Sequence, residues 1–407
     1  MKRRLVLAAR KPLGAILLVC LVLVGAGRAW ANDYVIVRGA YYREASTRVI
    51  QPMVELIRES PSGIDVGAHF LVDAITSASI AAGTTVDNVF TEIRDEAGFR
   101  IRKRWDRSEA QLSYRYSAES DYWSHNIGAS LGTRLWDDTA TLRLSLGRSY
   151  DTMSAKGRTP DCRPRMPAMF CTLNSWFAGV SYSQVLSPVA LAQISYETAY
   201  LDGFQGNLYR MVSSLMRYEY LPEHRMRNAI TPRVAYYLPG SQTGFQLHYR
   251  FYFDFYPGEH ATVSDPWFLI AHTIELRLYQ QLSSTVELRL LLRYYRQNHA
   301  RFWCDAPRPS RLPPTEFCAV STDPPSGYSV DARDGRGPAY YTADPKLGPV
   351  QTTYPEVQIV WDADALRAVP FLRWFAGGTF EASYGYYFQN TAFGNAHVIQ
   401  TGYRLPY

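Results

Sequence analysis

A group of acidic residues in the first third of the chain could bind a divalent cation if the fold brought its members together. These residues fall near the same ends of neighbouring predicted strands and are Asp73, Asp87, Glu92, Asp95, Glu119 and Asp121. Clustered carboxylates raise one another's pKa unless a cation neutralises them, and such an oxygen-rich site suits calcium. The calcium hypothesis uses Asp73, Glu92, Glu119 and Asp121. Simple ion pairing with Arg94, Arg102 and Arg115 is the alternative, and we favour it; no other cofactor is predicted.

Four cysteines beyond residue 31 fall into two local pairs, Cys162 with Cys171 and Cys304 with Cys318. In an exported chain this arrangement predicts two disulfides, each closing one loop. A metal site that used all four cysteines would need the short CxxC-like spacing. Neither pair has that spacing, so we favour the disulfides.

Catalytic chemistry has little support in the sequence. None of the eight histidines has a nucleophile motif beside it, and the sequence contains no GxSxG, HExxH or GxxxxGK[ST] pattern. His69 and Asp73 are four residues apart on a predicted strand and so share a face, but that spacing is common. We therefore predict that the chain is not an enzyme.

The segments that carry these residues alternate between apolar and polar positions. Leu112, Tyr114 and Tyr116 oppose a polar set, and residues 245–255 repeat the pattern with aromatic side chains. A soluble β-sandwich also alternates, but its strands usually have about five or six residues. Many of these runs reach ten or more residues, the length that a tilted strand needs to cross a bilayer. Only a closed barrel can cross in this way, because an open sheet edge leaves backbone groups unsatisfied in hydrocarbon.

The predicted fold is all-β, a transmembrane antiparallel up-and-down β-barrel of about 16 strands, with 14 or 18 as alternatives. Such a barrel has short periplasmic turns and longer external loops. The connection at 364–374 would be the one long periplasmic turn, before a strand at 375–389. The long external loops are predicted at 152–172, 202–227 and 298–350, and the segment 202–227 could hide more strand.

Alternation assigns a large set of charged side chains to the lumen, since charge that faces lipid at mid-bilayer costs about 2–4 kcal/mol. Besides Arg100 and Arg104, the predicted lumen lining is Arg102, Arg115, Arg143, Arg250, Asp254, Glu275, Arg277, Glu287, Arg289 and Arg293. This lining could select ions in an open pore, or its ion pairs could largely shut the lumen. A barrel of about 16 strands is wide enough for an aqueous channel, so we favour a channel.

The loop at 298–350 is the predicted constriction. It contains nine prolines and the Cys304–Cys318 pair. Proline stiffens a long loop, and a disulfide shortens its free reach. An inward plug, an external binding surface and a disordered external flap all remain open for this loop.

The two chain ends predict the compartment. Residues 1–31 combine basic residues, a short apolar stretch and Ala29-Trp30-Ala31, which is typical of a secretory signal peptide; residues 32–407 then form the barrel. The first 31 residues hold six of the 43 basic residues and no acidic one. The mature chain therefore balances 37 basic against 37 acidic residues, which gives no support to a nucleic-acid partner. At the other end, Tyr403, Leu405 and Tyr407 alternate outward as a closing strand.

These features favour a bacterial outer-membrane protein exported through the general secretory pathway. The C-terminal strand ending at Tyr407 resembles the signal by which the barrel-assembly machinery receives its clients. Outer-membrane lipid and lipopolysaccharide would surround the barrel, and divalent ions that bridge lipopolysaccharide could meet the acidic rim. The first functional hypothesis is a porin-like channel or conduit, with a periplasmic or lipoprotein partner possible. A non-conducting structural or surface-binding barrel is the second, and an outer-membrane enzyme is the third.

Several short stretches, in order along most of the mature chain, resemble an uncharacterised bacterial family catalogued as domain of unknown function 3570. They include Tyr41-Tyr42-Arg43-Glu44, residues 72–79 (VDAITSAS), Glu219 with Pro222 and Arg225, and residues 293–297 (RYYRQ). Within the stretch 72–79, Ser77 stands where glycine is expected after Asp73-Ala74-Ile75-Thr76. The resemblance implies an outer-membrane barrel and implies no particular activity.

Overall fold

The chain folds into one closed β-barrel. The computed structural model describes residues 33–77, 90–155, 160, 162, 170–212, 217–255, 267–303 and 340–406. Within these residues, sixteen strands hydrogen-bond to one another around the barrel, and two very short strands form a separate hairpin. The predicted signal peptide at 1–31 and the terminal Tyr407 lie outside the described residues.

The described residues contain eighteen strands, and all but the two of the separate hairpin follow one another around the barrel in chain order. They are β1 Tyr34–Arg43, β2 Thr47–Glu59, β3 Ile64–Ser77, β4 Phe90–Arg104, β5 Ser108–Ala118, β6 Tyr122–Leu135, β7 Ala140–Met153, β8 Cys171–Ser187, β9 Ala190–Gly203, β10 Met211–Val212, β11 Arg217–Tyr218, β12 His224–Leu238, β13 Thr243–Phe255, β14 Ile270–Ser283, β15 Val286–Gln297, β16 Gln351–Asp362, β17 Thr379–Gln389 and β18 Ala396–Pro406. The barrel closes where β1 pairs antiparallel with β18, from Tyr34 opposite Pro406 to Arg43 opposite His397. The predicted fold class, including the count of sixteen strands, is confirmed.

Alternating side chains explain why these segments form long strands. In β15, Leu290 and Leu292 are exposed on the face opposite to Arg289 and Arg293. The same alternation continues on the neighbouring strands, because β14 and β16 pair with β15 in register. A slip of one residue would turn every arginine toward the apolar face, so the two-residue period fixes the register.

The connections divide the barrel into two ends. At one end, which we call the tight-turn rim, most strands are joined by a few residues, as at 60–63, 105–107 and 188–189. Gly63 in the first of these turns has φ 75°, and a Cβ there would lie 2.7 Å from the carbonyl oxygen of Arg104. Only glycine fits this position. The other end, the long-loop rim, carries 78–89, 154–170, 204–223, 256–269 and 298–350.

Two predicted boundaries were wrong. The strand predicted at 375–389 begins at Thr379, because the residues before it form two short 3-10 helices, Ala363–Ala368 and Arg373–Phe375, in the one long connection of the tight-turn rim. The Asp362 side chain accepts a hydrogen bond from the Asp364 backbone NH and begins the first of these helices. In the segment predicted as the loop 202–227, β12 begins at His224, and β10 and β11 form a small hairpin of their own. The predicted end of this loop is therefore wrong, whereas the alternative that the segment hides more strand is confirmed.

Candidate functional site in the barrel lumen

The inner wall of the barrel contains a charged cleft of about 460 Å³. Strands β9 and β12 to β17 line this cleft with the faces that alternate with the exposed apolar side chains. Four of the predicted lumen residues meet there: Arg250, Glu275, Arg277 and Arg293. Because these residues come from three neighbouring strands, β13, β14 and β15, the register of the sheet brings them together.

Glu275 is the centre of the cleft. Its carboxylate accepts hydrogen bonds from Arg277 Nε at 2.6 Å and from Arg293 Nε at 2.9 Å. His248 Nδ1 lies 3.3 Å from the same carboxylate. Charge-assisted hydrogen bonds of this kind are the strong ones, so Glu275 holds both arginine side chains in fixed positions.

Cationic side chains outnumber carboxylates in this cleft. Besides Arg277 and Arg293, it is lined by Arg233 and Arg250, whereas its only carboxylates among the described residues are Glu197 and Glu275. Arg250 is 3.9 Å from Glu197, whose side chain is largely exposed. A surplus of fixed positive charge on a low-dielectric wall attracts anions. The cleft therefore offers an anion a favourable place inside the barrel.

Two tyrosines beside the cleft were not predicted from the sequence. Tyr354 and Tyr387 stack with ring centroids 4.1 Å apart, and the Arg293 guanidinium lies 6.0 Å from the Tyr354 ring centroid. The Tyr387 hydroxyl accepts a 3.5 Å hydrogen bond from Arg293 Nη1. The sequence signal was available, because Tyr354 and Tyr387 occupy inward positions of their strands, but the chain contains 30 tyrosines and only their cross-strand pairing distinguishes these two.

Other predicted lining residues form ion pairs at separate places on the barrel. Arg102 and Arg104 both contact Asp65, at 2.8 and 2.7 Å, and Arg143 contacts Glu109 at 2.5 Å. Further pairs are Arg100 with Glu55 at 2.9 Å, Arg115 with Glu96 at 3.9 Å and Arg289 with Glu287 at 2.5 Å. Near β4 to β7, charge is thus matched within the wall, in contrast to the cleft.

Asp254, also predicted in the lining, is buried at the long-loop rim. Its carboxylate pairs with Arg225, which donates through Nε at 2.7 Å and through Nη2, and it accepts the Leu269 backbone NH at 2.9 Å. The Arg225 guanidinium lies 4.0 Å from the ring centroid of Trp267, a fully buried side chain. Asp254 therefore holds Leu269, just before β14, at the mouth of the barrel.

The four carboxylates of the calcium hypothesis take part in separate local contacts. Asp73 pairs with Arg94 and accepts a 2.5 Å hydrogen bond from Gln51 Nε2. Glu92 accepts the Ser120 backbone NH at 3.0 Å, and Asp121 accepts the hydroxyl of Tyr209. Asp87 lies outside the described residues.

No three His, Cys, Asp or Glu side chains in the described part of the chain are grouped so that they could hold a metal ion. The pKa of the Glu119 carboxyl is nevertheless raised. Its burial is the main cause, nearby Glu92, Asp121 and Asp73 add to the effect, and Arg94 opposes it. Arg94 therefore occupies the position of the compensating cation in this acidic group.

Two long loops pack against each other at the mouth of the barrel. Tyr220 and Tyr341 form a backbone bridge between the segments 204–223 and 340–350. Arg210 lies 2.6 Å from Asp344 and 3.5 Å from Glu219, whose carboxylate also accepts the Thr342 hydroxyl at 2.6 Å. We call this contact the loop clamp.

An apolar cluster lies beside the loop clamp. Buried members include Trp267, Leu269, Phe302 and Leu347, and the lumen-facing Tyr295 packs against them. The described ends of the loop 298–350 therefore contact the inner wall. Its central part, with Cys304 and Cys318, lies outside the described residues.

In the loop after β7, Cys162 and Cys171 form a disulfide.

The closed antiparallel sheet, with apolar rows outside and charged rows inside, defines a β-barrel of the outer-membrane type. The chain belongs to the family described as "Protein of unknown function (DUF3570)", whose sequence profile matches residues 72–397. The resemblance that the short motifs suggested is therefore confirmed. No helix of the described residues is long and apolar enough to cross a membrane.

Solved outer-membrane proteins are similar in structure to this chain at very low sequence identity. CdiB from Acinetobacter baumannii aligns with a TM-score of 0.51 at 7% identity; the alignment covers 93% of this chain, which spans 61% of the CdiB chain. A bacterial polysaccharide outer membrane secretin has a TM-score of 0.49 at 8% identity, covering 93% and 99% of the two chains. OccD3 (OpdP) of Pseudomonas aeruginosa has a TM-score of 0.42 at 10% identity, covering 93% and 94%. No curated protein sequence matches the chain.

Proposed function

We propose that this chain is a porin-like channel of the bacterial outer membrane that prefers anions and is narrowed by its long loops. The surplus of arginine over carboxylate in the lumen cleft carries this proposal. Positive charge on the wall of a pore raises the local concentration of anions, and rings of arginine or lysine are typical of anion pores.

Two further observations support a narrowed channel. The closed sheet has sixteen strands, and barrels of about 16 to 18 strands are wide enough for an aqueous channel. At the long-loop rim, the loop clamp and the Trp267 cluster bring two loops onto the inner wall. Solutes would therefore pass a partly covered mouth before they reach Arg250, Arg277 and Arg293.

Single-channel conductance in planar bilayers tests the channel. The comparison variant replaces residues 298–350 by a short turn, which is feasible because Arg296 on β15 already pairs with Gln351 on β16. We expect a small conductance for the full chain and a larger one for the variant. A full chain and a loop variant that are both silent, although both are inserted, would end the channel proposal.

Ion selectivity tests the cleft. In the double variant Arg277→Gln/Arg293→Gln, Glu275 loses both of its arginine partners, so the wall becomes less positive. We expect the reversal potential in a salt gradient to shift toward cation preference, with the anion-to-cation permeability ratio falling about twofold or more. Arg102→Gln/Arg143→Gln is the control, because it removes the same two charges from ion pairs outside the cleft. An equal shift in the control would assign selectivity to net charge and not to the cleft.

A non-conducting, surface-binding barrel is the second candidate. The fully buried Trp267 and its apolar neighbours at the mouth favour it, because such packing can hold the loops shut. This candidate predicts silence in bilayers with an intact fold. An enzyme is our third hypothesis and the one we do not favour; a screen for lipid and peptide hydrolysis by the purified barrel is expected to be negative.

We also infer the route and the surroundings of the barrel. Residues 1–31 would direct export through the general secretory pathway, and the tight-turn rim would face the periplasm. The C-terminal strand ending at Tyr407 would be the segment that the barrel-assembly machinery recognises, and a periplasmic or lipoprotein partner could dock at the tight-turn rim. Removal of residues 396–407 should leave the exported chain unassembled in the periplasm.

A further inference from the structure

A tyrosine–histidine pair recurs on the outer face of the barrel near the long-loop rim. At four pairs of neighbouring barrel strands among the described residues, a tyrosine hydroxyl lies within hydrogen-bond distance of histidine Nδ1 on the next strand. The pairs are Tyr114 with His125 at 2.8 Å, Tyr200 with His224 at 3.1 Å, Tyr249 with His272 at 2.7 Å and Tyr384 with His397 at 2.9 Å. Aromatic side chains of this kind form girdles at the interfaces of membrane barrels, so the pairs mark the level of the lipid headgroups.

In two of these pairs, the histidine is also directly opposite an arginine on its other neighbouring strand. His397 is directly opposite Arg43, which is in turn opposite Arg48. In the same way, His272 is opposite Arg296. All of these cationic or titratable side chains are exposed. We call Arg48, Arg43 and His397 the basic row; because adjacent strands are about 4.8 Å apart, its three side chains lie within roughly 10 Å along the surface.

Apolar side chains lie directly beneath the basic row. Two positions further toward the middle of the barrel, Tyr41 is opposite both Ile50 and Ile399, and these isoleucines are 47% and 43% exposed. A hydrophobic surface immediately below a line of positive charge is the arrangement expected where acyl chains end and headgroups begin.

The positive charge of the basic row is not compensated within the described part of the protein. Arg43 and Arg48 form no ion pair with any carboxylate described there. The adjacent carboxylate of Glu44 is held by other groups, since it accepts the Tyr42 hydroxyl at 2.6 Å and the Ser46 hydroxyl at 3.2 Å. The row is therefore available to an anion from outside the chain.

We propose that the basic row binds the phosphate of an outer-leaflet lipid, the phosphorylated glucosamine headgroup of lipopolysaccharide. The inference rests on the proposed outer-membrane location. Each arginine can donate two parallel hydrogen bonds to a phosphate. In the His397 tautomer that carries its proton on Nε2, Nδ1 accepts from the Tyr384 hydroxyl, and Nε2–H remains as a further donor for the same anion. The acyl chains then lie on Ile50, Tyr41 and Ile399.

Retention of lipid by purified, full-length barrel tests this site. The probe is bis-phosphorylated lipid A, added in detergent and measured by native mass spectrometry, against the same lipid A with its phosphates removed. We expect the wild type to retain the phosphorylated form preferentially. The variant Arg43→Gln/Arg48→Gln should bind it about tenfold more weakly, as expected for the loss of charge-assisted hydrogen bonds.

The matched control is Arg367→Gln/Arg373→Gln, which removes the same charge at the tight-turn rim and should bind lipid A like the wild type. Equal weakening in both double variants, or none in either, would overturn the proposal. Failure of the lipid site can be distinguished from failure of the proposed outer-membrane location. A barrel that inserts into bilayers but binds both forms of lipid A equally contradicts only the lipid site. A chain that does not insert into bilayers contradicts the membrane assignment.

Discussion

Arginine side chains have different surroundings at different places in this barrel. Arg102 and Arg104 share Asp65 and are neutralised in the wall. Arg277 and Arg293 share Glu275 in a cleft where two further arginines leave positive charge in excess. On the outer face, Arg43 is opposite another cation, Arg48. The same residue type is therefore neutralised at one place and leaves surplus positive charge at two others, according to its neighbours.

Calcium binding to the acidic group of Asp73, Glu92, Glu119 and Asp121 is not expected, so calcium should have no effect on the stability of the barrel. Arg94 pairs with Asp73 and acts on Glu119, so the group already contains its cation. The melting temperature of purified barrel should be the same in calcium and in chelator. A calcium-dependent rise that disappears in Asp73→Asn would instead support the cation site.

The loop clamp should weaken as the pH rises. Burial raises the pKa of Glu219 above its ordinary value of 4.5, despite opposing contributions from Arg210 and Thr342. A carboxyl whose pKa is raised by folding stabilises the folded form most below its unfolded pKa, and this contribution is lost as the pH rises through the raised pKa. Hydrogen-exchange protection at residues 340–347, corrected for intrinsic rates, should therefore decrease with pH in that window.

Glu219→Gln is the matched variant for this prediction, because the amide has the same shape and does not titrate. Protection of residues 340–347 should then be nearly independent of pH over the same window. If the variant kept the wild-type pH dependence, another group would have to be responsible, and Glu219 would be only a structural contact.

Lipid-facing and lumen-facing residues alternate along each strand of the barrel. Strand β15 allows a direct test of this alternation. Leu292 is 50% exposed on the outer face, whereas the adjacent Leu291 lines an inner cleft together with Arg293. We expect Leu292→Arg to lower the free energy of unfolding in lipid bilayers by about 2–4 kcal/mol, since it places a charge in hydrocarbon. Equilibrium denaturation of barrel folded into vesicles measures this change.

Leu291→Arg is the control for the same strand, with the same change of residue type one position away. Its side chain would point into the aqueous lumen near Glu356, so the cost should be clearly smaller. Equal costs for the two variants would mean that the two faces of β15 are not in different solvents, and the membrane orientation of this strand would be wrong.

The whole molecule depends on closure of the sheet by its first and last strands. β18 pairs with both β1 and β17, so deletion of residues 396–407 exposes two strand edges to lipid. Unsatisfied backbone groups are very costly in hydrocarbon. We therefore expect this deletion to abolish the folded barrel, observed as loss of the heat-dependent mobility shift of folded barrels in gels.

A circular permutant separates closure from the mere presence of the natural terminus. Because Tyr34 is opposite Pro406, a short linker can join them as a hairpin, with new ends placed in the turn at 284–285. All sixteen strands remain, so the permutant should still fold in vitro. If the permutant did not fold, the covalent connection between β14 and β15 would be more important for folding than closure of the sheet.

The sequence by itself determined the barrel. The two-residue period and the length of the runs indicated membrane-spanning strands, and the positions of the tight turns gave sixteen of them. These signals are local, since each depends on residues within one strand or one turn. Local signals failed where irregular backbone intervened, as at Ala363–Ala368, where a capping aspartate begins a short helix ahead of β17.

Only the tertiary structure decided which inward or outward residues meet. Arg43 and His397, at opposite ends of the chain, become neighbours through closure of the sheet. The stack of Tyr354 on Tyr387 and the contact of Glu219 with Thr342 likewise join distant segments. The two-residue period of a strand determines which face of the sheet a residue occupies. Its partner on the neighbouring strand depends on strand order and register. Those are set by the summed pairing of all sixteen strands, so no single stretch of sequence contains them.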